Sequence, residues 1–174
     1  MNNLKEFIIQ FRGLEIESHQ FKFEVKNSFF EAFDYSELKA GDLSVNLSME
    51  KQETMLVLGF SLKGSVKVLC DRCLDEFDFE IDRSEQLIVQ FGASYQELSD
   101  EIVVIPANAY EIDLAPYIYE YINLSLPIQK MHPDDSDGNS LCKKEITDLL
   151  NDLSGEKEID PRWEELKKLK NKTD

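Results

Sequence analysis

The residues best suited to chemistry are Cys70 and Cys73, which are separated by two residues in the stretch VLCDRCLDEFDF. A tight Cys-x-x-Cys turn aims two thiolates at one point and can supply half of a tetrahedral zinc site. The second half could come from His132 and Cys142, which are ten positions apart in a later polar stretch. These four residues are therefore a candidate site for one zinc ion.

Other interpretations of the cysteine pair stay open at this point. Cys70 continues an apolar alternation, so it could be a small buried hydrophobic residue, with Cys73 as an exposed turn residue. A redox pair would need a helix N-terminus to lower the pKa of the attacking thiol. The flanks are instead β-like and carry Asp71, Asp75 and Glu76, which would raise that pKa and argue against redox catalysis.

Catalytic motifs are missing from the sequence. It contains no glycine-rich phosphate loop, no HExxH and no GxSxG. Its many carboxylates fall on alternating strand positions or at helix starts, where solvated roles are far commoner than paired acid–base chemistry. We therefore expect a protein that is not an enzyme and has no small-molecule substrate. A zinc- or thiol-dependent enzyme of unknown substrate is the alternative.

Composition restricts the partner and the compartment. Lys and Arg number 19 against 35 Asp and Glu, so the formal net charge is −16. This charge disfavours general RNA binding, which depends on cationic side chains, and it suits a basic protein partner. The N-terminus does not resemble a signal peptide, and no window has the apolar length of a membrane span. Since three cysteines cannot all pair within one chain, we expect a cytoplasmic protein.

The first half of the chain has the alternation of β-strands. EFIIQF is a short run of aromatic and branched residues, whereas apolar and polar residues alternate in HQFKFEV. Two longer runs follow, separated by the polar turn EKQE. Two long alternating strands joined by CDRC predict an antiparallel hairpin with Cys70 and Cys73 at its tip. Seven residues of these strands are predicted to be mainly buried: Leu56, Leu58, Phe60, Val66, Val68, Phe77 and Phe79.

Helical periodicity begins near Asp113. We predict a helix with Asp113 as N-cap and Pro116 in its first turn. The stretch LCKKEITDLLNDL predicts a second amphipathic helix, and DPRWEELKKLK a third with Asp160 as N-cap and Pro161 at the first helical position. The apolar face of the first of these helices comprises Leu114, Ile118, Tyr121 and Ile122.

These elements predict an α+β fold. An antiparallel sheet over residues 5–105, with the long hairpin and its Cys-x-x-Cys tip, is followed by C-terminal helices. We divide the chain into a β-rich core with its following helix, residues 1–130, and an acidic loop with a helical tail, residues 131–174.

Three stretches in this order resemble one protein family. VKVLCDRCLDEFDFEI, DLAPYIYEYINLSLPIQKMHP and DPRWEELKKL, together with Cys142, are similar to the YceD family over residues 50–170. The resemblance implies a role in ribosome biogenesis, in the accumulation of large-subunit ribosomal RNA. The matching motif positions, which are candidate binding residues, are Cys70, Arg72, Cys73, Asp113, Glu120, Pro127, Asp160, Pro161, Arg162 and Trp163.

Charge and resemblance together favour an accessory factor that binds a ribosomal protein or a large-subunit precursor particle. A direct RNA-binding module is the second hypothesis, anchored on the C-terminal tail. That tail carries five basic and three acidic residues, so its field is modest, and lysines also suit a helix C-terminus. The basic residues of the tail are Arg162, Lys167, Lys168, Lys170 and Lys172.

Overall fold

Strands dominate the part of the chain that the computed structural model describes, which is residues 4–136, 138 and 140–153. The strands are β1 (Ile8–Ile9), β2 (Ser18–Val25), β3 (Gly41–Lys51), β4 (Met55–Leu69), β5 (Glu76–Gly92), β6 (Gln96–Ser99), β7 (Ile102–Pro106) and β8 (Ile112–Asp113). The helices are a 3₁₀ turn (Lys5–Phe7), α1 (Asn27–Glu31), α2 (Ala115–Leu124) and α3 (Lys144–Leu153). The fold is α+β, as predicted, and the helix expected from Asp160 lies outside the described residues.

The main sheet has six strands in the order β2-β3-β4-β5-β7-β6, and β1 pairs with β8 separately. Every neighbouring pair is antiparallel except β5 and β7, so the fully antiparallel sheet that we expected is corrected at this one place. The exception follows from burial, because Val103 and Ile105 of β7 are buried whereas all four residues of β6 are exposed. The polar strand β6 therefore lies at the edge of the sheet, and the apolar strand β7 lies between β6 and β5.

The long hairpin consists of β4 and β5, paired from Met55↔Gln90 to Leu69↔Glu76. Residues of β4 from Leu56 to Val68 alternate as predicted and bury one face. Phe77 and Phe79 pack against the core and are mainly buried, as predicted, although they are not fully enclosed. They stay partly accessible because β7 pairs with β5 only over residues 88–92, so the earlier part of β5 is a sheet edge.

Gly64 lies in the middle of β4 with a backbone angle φ of +146°, which only glycine adopts readily. It pairs with Leu43 on one side and Ile81 on the other. A Cβ at this position would lie 2.2 Å from the carbonyl oxygen of Asp42 and 2.7 Å from Cα of Leu43. β3 and β4 therefore approach closely here because the side chain is missing.

Helix α2 buries the apolar face that its sequence predicts, and Tyr121 packs against Phe60 with ring centroids 5.2 Å apart. Its N-cap is Leu114, one residue later than predicted. Asp113 stays extended because it pairs with Ile8 of β1, and its Oδ1 accepts a hydrogen bond from the Ala115 N–H at 3.0 Å. No helix among the described residues combines the length and the apolar content that crossing a bilayer requires.

The predicted strand EFIIQF forms only in part, as the two residues of β1. Two phenylalanines in this stretch occupy separate parts of the core. Phe7, in the 3₁₀ turn, packs against Phe29 with ring centroids 4.9 Å apart. Phe11 stacks instead on Phe91, with ring centroids 5.6 Å apart. These separate anchors bend the chain and interrupt the alternation that a longer strand would need.

Candidate metal centre

The six residues that connect β4 to β5 form a tight turn, which we call the knuckle (residues 70–75). The Cys70 N–H donates to the carbonyl oxygen of Asp75 at 2.8 Å, and the Leu74 N–H donates to that of Cys70 at 2.9 Å. Leu74 adopts a positive φ of 60°, which is rare for a leucine. Both cysteine side chains of the knuckle are buried, so Cys73 is not an exposed turn residue.

Asp71 ties the knuckle to the segment that follows α2. The Asp71 N–H donates to the carbonyl oxygen of Lys130 at 2.7 Å. The Lys130 N–H in turn donates to Oδ2 of Asp71, also at 2.7 Å. This reciprocal pair fixes the chain two residues before His132 and so brings the imidazole to the cysteines.

A second set of contacts brings in the segment before α3. Arg72 Nη1 donates to Oγ of Ser140 at 3.1 Å, and the same Oγ accepts the Cys142 N–H at 3.3 Å. Lys143 Nζ donates to Oδ1 of Asp75 at 2.6 Å. Cys142 is thus held from both sides by groups that are themselves bonded to the knuckle.

Four ligand-type side chains meet at this point. The Sγ atoms of Cys70 and Cys142 are 3.6 Å apart. Nδ1 of His132 lies 3.5 Å from Sγ of Cys73 and 3.7 Å from Sγ of Cys142. All four ligand atoms lie within 4.8 Å of one another. We call Cys70, Cys73, His132 and Cys142 the Cys3His cluster.

These separations fit one tetrahedral ion. With zinc–sulfur bonds of about 2.3 Å and zinc–nitrogen bonds of about 2.0–2.1 Å, the edges of a tetrahedron are about 3.8 Å (S to S) and about 3.6 Å (S to N). The observed distance between the sulfurs of Cys70 and Cys142 is 3.6 Å. Nδ1 of His132 lies 3.5 Å from the sulfur of Cys73 and 3.7 Å from that of Cys142. Thiolate and imidazole are also the ligands that zinc prefers in proteins. The residues present therefore fit the ion.

The surroundings shield the cluster and tune its thiols. The three cysteines of the cluster are at most 8 % exposed. The ring of Phe77 covers His132, with ring centroids 4.6 Å apart. Burial raises the pKa of Cys70, but backbone N–H groups, including those of Cys73 and Arg72, donate to its sulfur and lower the pKa to about 6. Such donors stabilise a thiolate, which is the form that binds metal.

The pKa of Cys142 moves in the opposite direction. A hydrogen bond with Ser140 lowers this pKa, whereas burial and the neighbouring sulfurs of Cys70 and Cys73 raise it, and the net shift is upward. Two thiols in contact cannot both ionise at low cost without a cation between them. A bound cation would remove this repulsion and hold both as thiolates.

Comparison with known protein families identifies the family of this chain. Residues 58–170 match the model of a family described as large ribosomal RNA subunit accumulation protein YceD. The chain belongs to the YceD family. The YceD match confirms the resemblance seen in the sequence, and the family's name implies a role in the accumulation of large-subunit ribosomal RNA. No curated protein and no solved structure matches the chain.

The YceD match begins within β4, and it includes the whole Cys3His cluster, α2 and α3. Of the candidate binding residues, Cys70, Arg72 and Cys73 lie in the knuckle. Asp113 lies instead in β8, just before α2, whereas Glu120 lies in α2 and Pro127 follows the end of that helix. Asp160, Pro161, Arg162 and Trp163 lie outside the described residues.

Sequence reasoning missed the residues that lock the cluster together, which are Asp71, Asp75, Lys130, Ser140 and Lys143. A signal does exist, because two acids lie within the knuckle, but in the sequence alone those acids indicate only charges that oppose redox chemistry. Their partners are 59 and 68 residues away in sequence, and no local pattern points to them.

Proposed function

We propose that this YceD-family chain is a non-catalytic accessory factor in ribosome biogenesis. In this proposal it acts in the cytoplasm, binds a ribosomal protein or a large-subunit precursor particle, and so supports accumulation of large-subunit ribosomal RNA. The observation that carries the proposal is the family match over residues 58–170. The net charge of −16 supports a basic protein as the direct contact, because opposite charges steer association and like charges repel phosphates.

The proposal includes one zinc ion in the Cys3His cluster. Four protein ligands would complete a tetrahedron and leave no open position for water or substrate, which is typical of structural sites. When bound, the ion would supply a cross-link rather than a reaction. Asp71, Arg72 and Asp75 already join the knuckle to the segments around His132 and Cys142 and would orient the ligands.

A thiol-dependent enzyme is the second candidate, and the lowered pKa of Cys70 favours it. Access argues against it, because Cys70 is 0 % exposed and a substrate disulfide could not reach its sulfur without local opening. A thiol-exchange assay on the metal-free chain, with Cys70→Ser as control, separates the candidates. The accessory factor shows no turnover, whereas turnover that Cys70→Ser abolishes would favour the enzyme.

The biological role is tested by depleting the protein and measuring large-subunit against small-subunit ribosomal RNA. We expect a selective fall in the large-subunit species, and unchanged levels would contradict the proposal. An affinity pull-down with and without nuclease then identifies the contact. Attachment to large-subunit proteins should survive nuclease, whereas complete loss would favour the RNA-binding hypothesis.

The zinc is tested by elemental analysis of protein purified without chelator. We expect one zinc per chain for the natural sequence and a large loss for His132→Ala. His19→Ala is the matched control, since His19 lies in β2 and its ring bonds to the carbonyl oxygen of Glu15 at 3.0 Å. A content below about 0.2 zinc per chain in the natural protein would refute the ion.

A further inference from the structure

A second site lies at the other end of α2 from the Cys3His cluster. A cavity of about 440 Å³ opens between the edge strand β6, the end of β7 and the start of α2. Its walls are apolar at Ile105, Ile112 and Pro116. Its polar lining consists of Tyr95, Glu97, Glu111, Asp113, Tyr117 and Glu120, and we call it the acidic tyrosine pocket.

The carboxylates of this pocket come from separate parts of the chain. Glu97 belongs to β6, Asp113 to β8 and Glu120 to α2, while Glu111 precedes β8. Within the described ranges, the lysines and arginines that form ion pairs are bonded to other acids and not to these four. Their negative charge is therefore not neutralised by a described side chain of the fold.

The two tyrosines add aromatic surface next to this charge. The Tyr95 hydroxyl donates to Oε1 of Glu97. Tyr117 is partly buried, and burial raises its pKa. A hydrogen bond with Tyr95 opposes this shift, whereas the charges of Glu97, Glu120 and Asp113 add to it. Carboxylates and two phenol rings thus line the same pocket, so negative charge lies next to an aromatic face.

We propose that the acidic tyrosine pocket binds an arginine side chain presented by a basic polypeptide segment. A guanidinium is planar, pairs with carboxylates through two parallel hydrogen bonds and stacks on aromatic faces. The apolar walls suit its methylene stem. An RNA strand would instead bring phosphates towards four carboxylates, which is unfavourable.

This inference rests on the proposed function and deepens it, because it names the chemistry of the partner and where the partner docks. It also explains the two motif positions that lie far from the cysteines. Asp113 and Glu120 both line the pocket. Asp113 lies just before the N-cap of α2 and Glu120 lies in the middle of that helix, whose other end leads to His132. One helix therefore connects the docking site and the Cys3His cluster.

The test uses the full chain, labelled with ¹⁵N, and a synthetic dodecapeptide of alternating arginine and glycine as the probe. We expect amide shifts centred on Tyr95, Ala109 and Tyr117. The double variant Glu97→Gln/Glu120→Gln should weaken binding about tenfold, since each exposed ion pair contributes up to roughly fivefold. The control Glu31→Gln/Glu80→Gln removes the same charge outside the pocket and should change the affinity less than about twofold.

Three results would overturn the inference. They are no binding by the natural chain, equal weakening by the pocket and control variants, and equal affinity for a peptide with citrulline in place of arginine. A uridine dodecamer that shifted the same amides would replace it with an RNA site. In each case the ribosomal RNA levels after depletion are measured independently, so the proposed function can stand while the pocket assignment fails.

Discussion

The close strand approach at Gly64 gives a sharp test of the fold. Replacing Gly64 by alanine forces an L side chain into a φ of +146°, which costs about 1–3 kcal/mol. The new Cβ would also lie 2.2 Å from the carbonyl oxygen of Asp42, where ordinary contacts begin at 3.4 Å. That neighbour is backbone in a central strand, so relieving the clash means spreading the ladder, which costs about 1–3 kcal/mol more. We expect Gly64→Ala to lose about 4 kcal/mol of the free energy of unfolding.

Urea unfolding followed by circular dichroism measures this loss. With a slope of about 2 kcal/mol/M, the midpoint should fall by about 2 M. Gly13→Ala is the matched control, because a Cβ added at Gly13 would have no atom within 4 Å, and its midpoint should stay almost unchanged. A Gly64→Ala midpoint within about 0.5 M of the natural protein would refute the tight approach of β3 and β4.

Three further predictions concern the knuckle and the core. In chelator-treated protein, the lowered pKa of Cys70 means that its thiolate stabilises the fold fully above pH 9.0 and that this stability is lost as the pH falls through about 6. The upward shift of the Cys142 pKa favours its neutral thiol and does not reverse this trend. A urea midpoint independent of pH from 9 to 6 would therefore contradict the stabilising role of the Cys70 thiolate. Leu74→Val should destabilise by about 1 kcal/mol because a β-branched residue resists positive φ, whereas Leu74→Gly should not, as thermal melting can show. Leu58→Ala, at a fully buried position of β4, should cost about 2–5 kcal/mol in the same urea assay, and a loss below 1 kcal/mol would be inconsistent with its burial.

Local patterns are sufficient for the long strands and for the ligand set. The alternation from Leu56 to Val68 predicts the buried face of β4, because a strand has a period of two and one side is covered. The choice of His132 and Cys142 follows from elimination, since the chain has three cysteines and two histidines and His19 belongs to an early strand. The structure brings these four residues together.

Features that depend on distant neighbours could not be predicted. The partial exposure of Phe77 depends on how far β7 extends along β5, and the extent of that pairing has no local signal. The extended conformation of Asp113 depends on its pairing with Ile8, which lies far away near the start of the sequence. The acidic tyrosine pocket combines β6, β8 and α2, and each of its carboxylates resembles a solvated surface acid when considered alone.

The sequence separation within the Cys3His cluster has a consequence for synthesis of the chain. Cys70 and Cys142 are 72 residues apart, and at about 5–20 residues per second the second follows the first by about 4–14 s. Both sheets are complete at Asp113, before the residues around Cys142 are made. A nascent chain that ends before Cys142 contains every strand of the described residues but lacks one of the four ligands. In the proposed zinc-bound state, metal content would therefore report whether synthesis has passed Cys142.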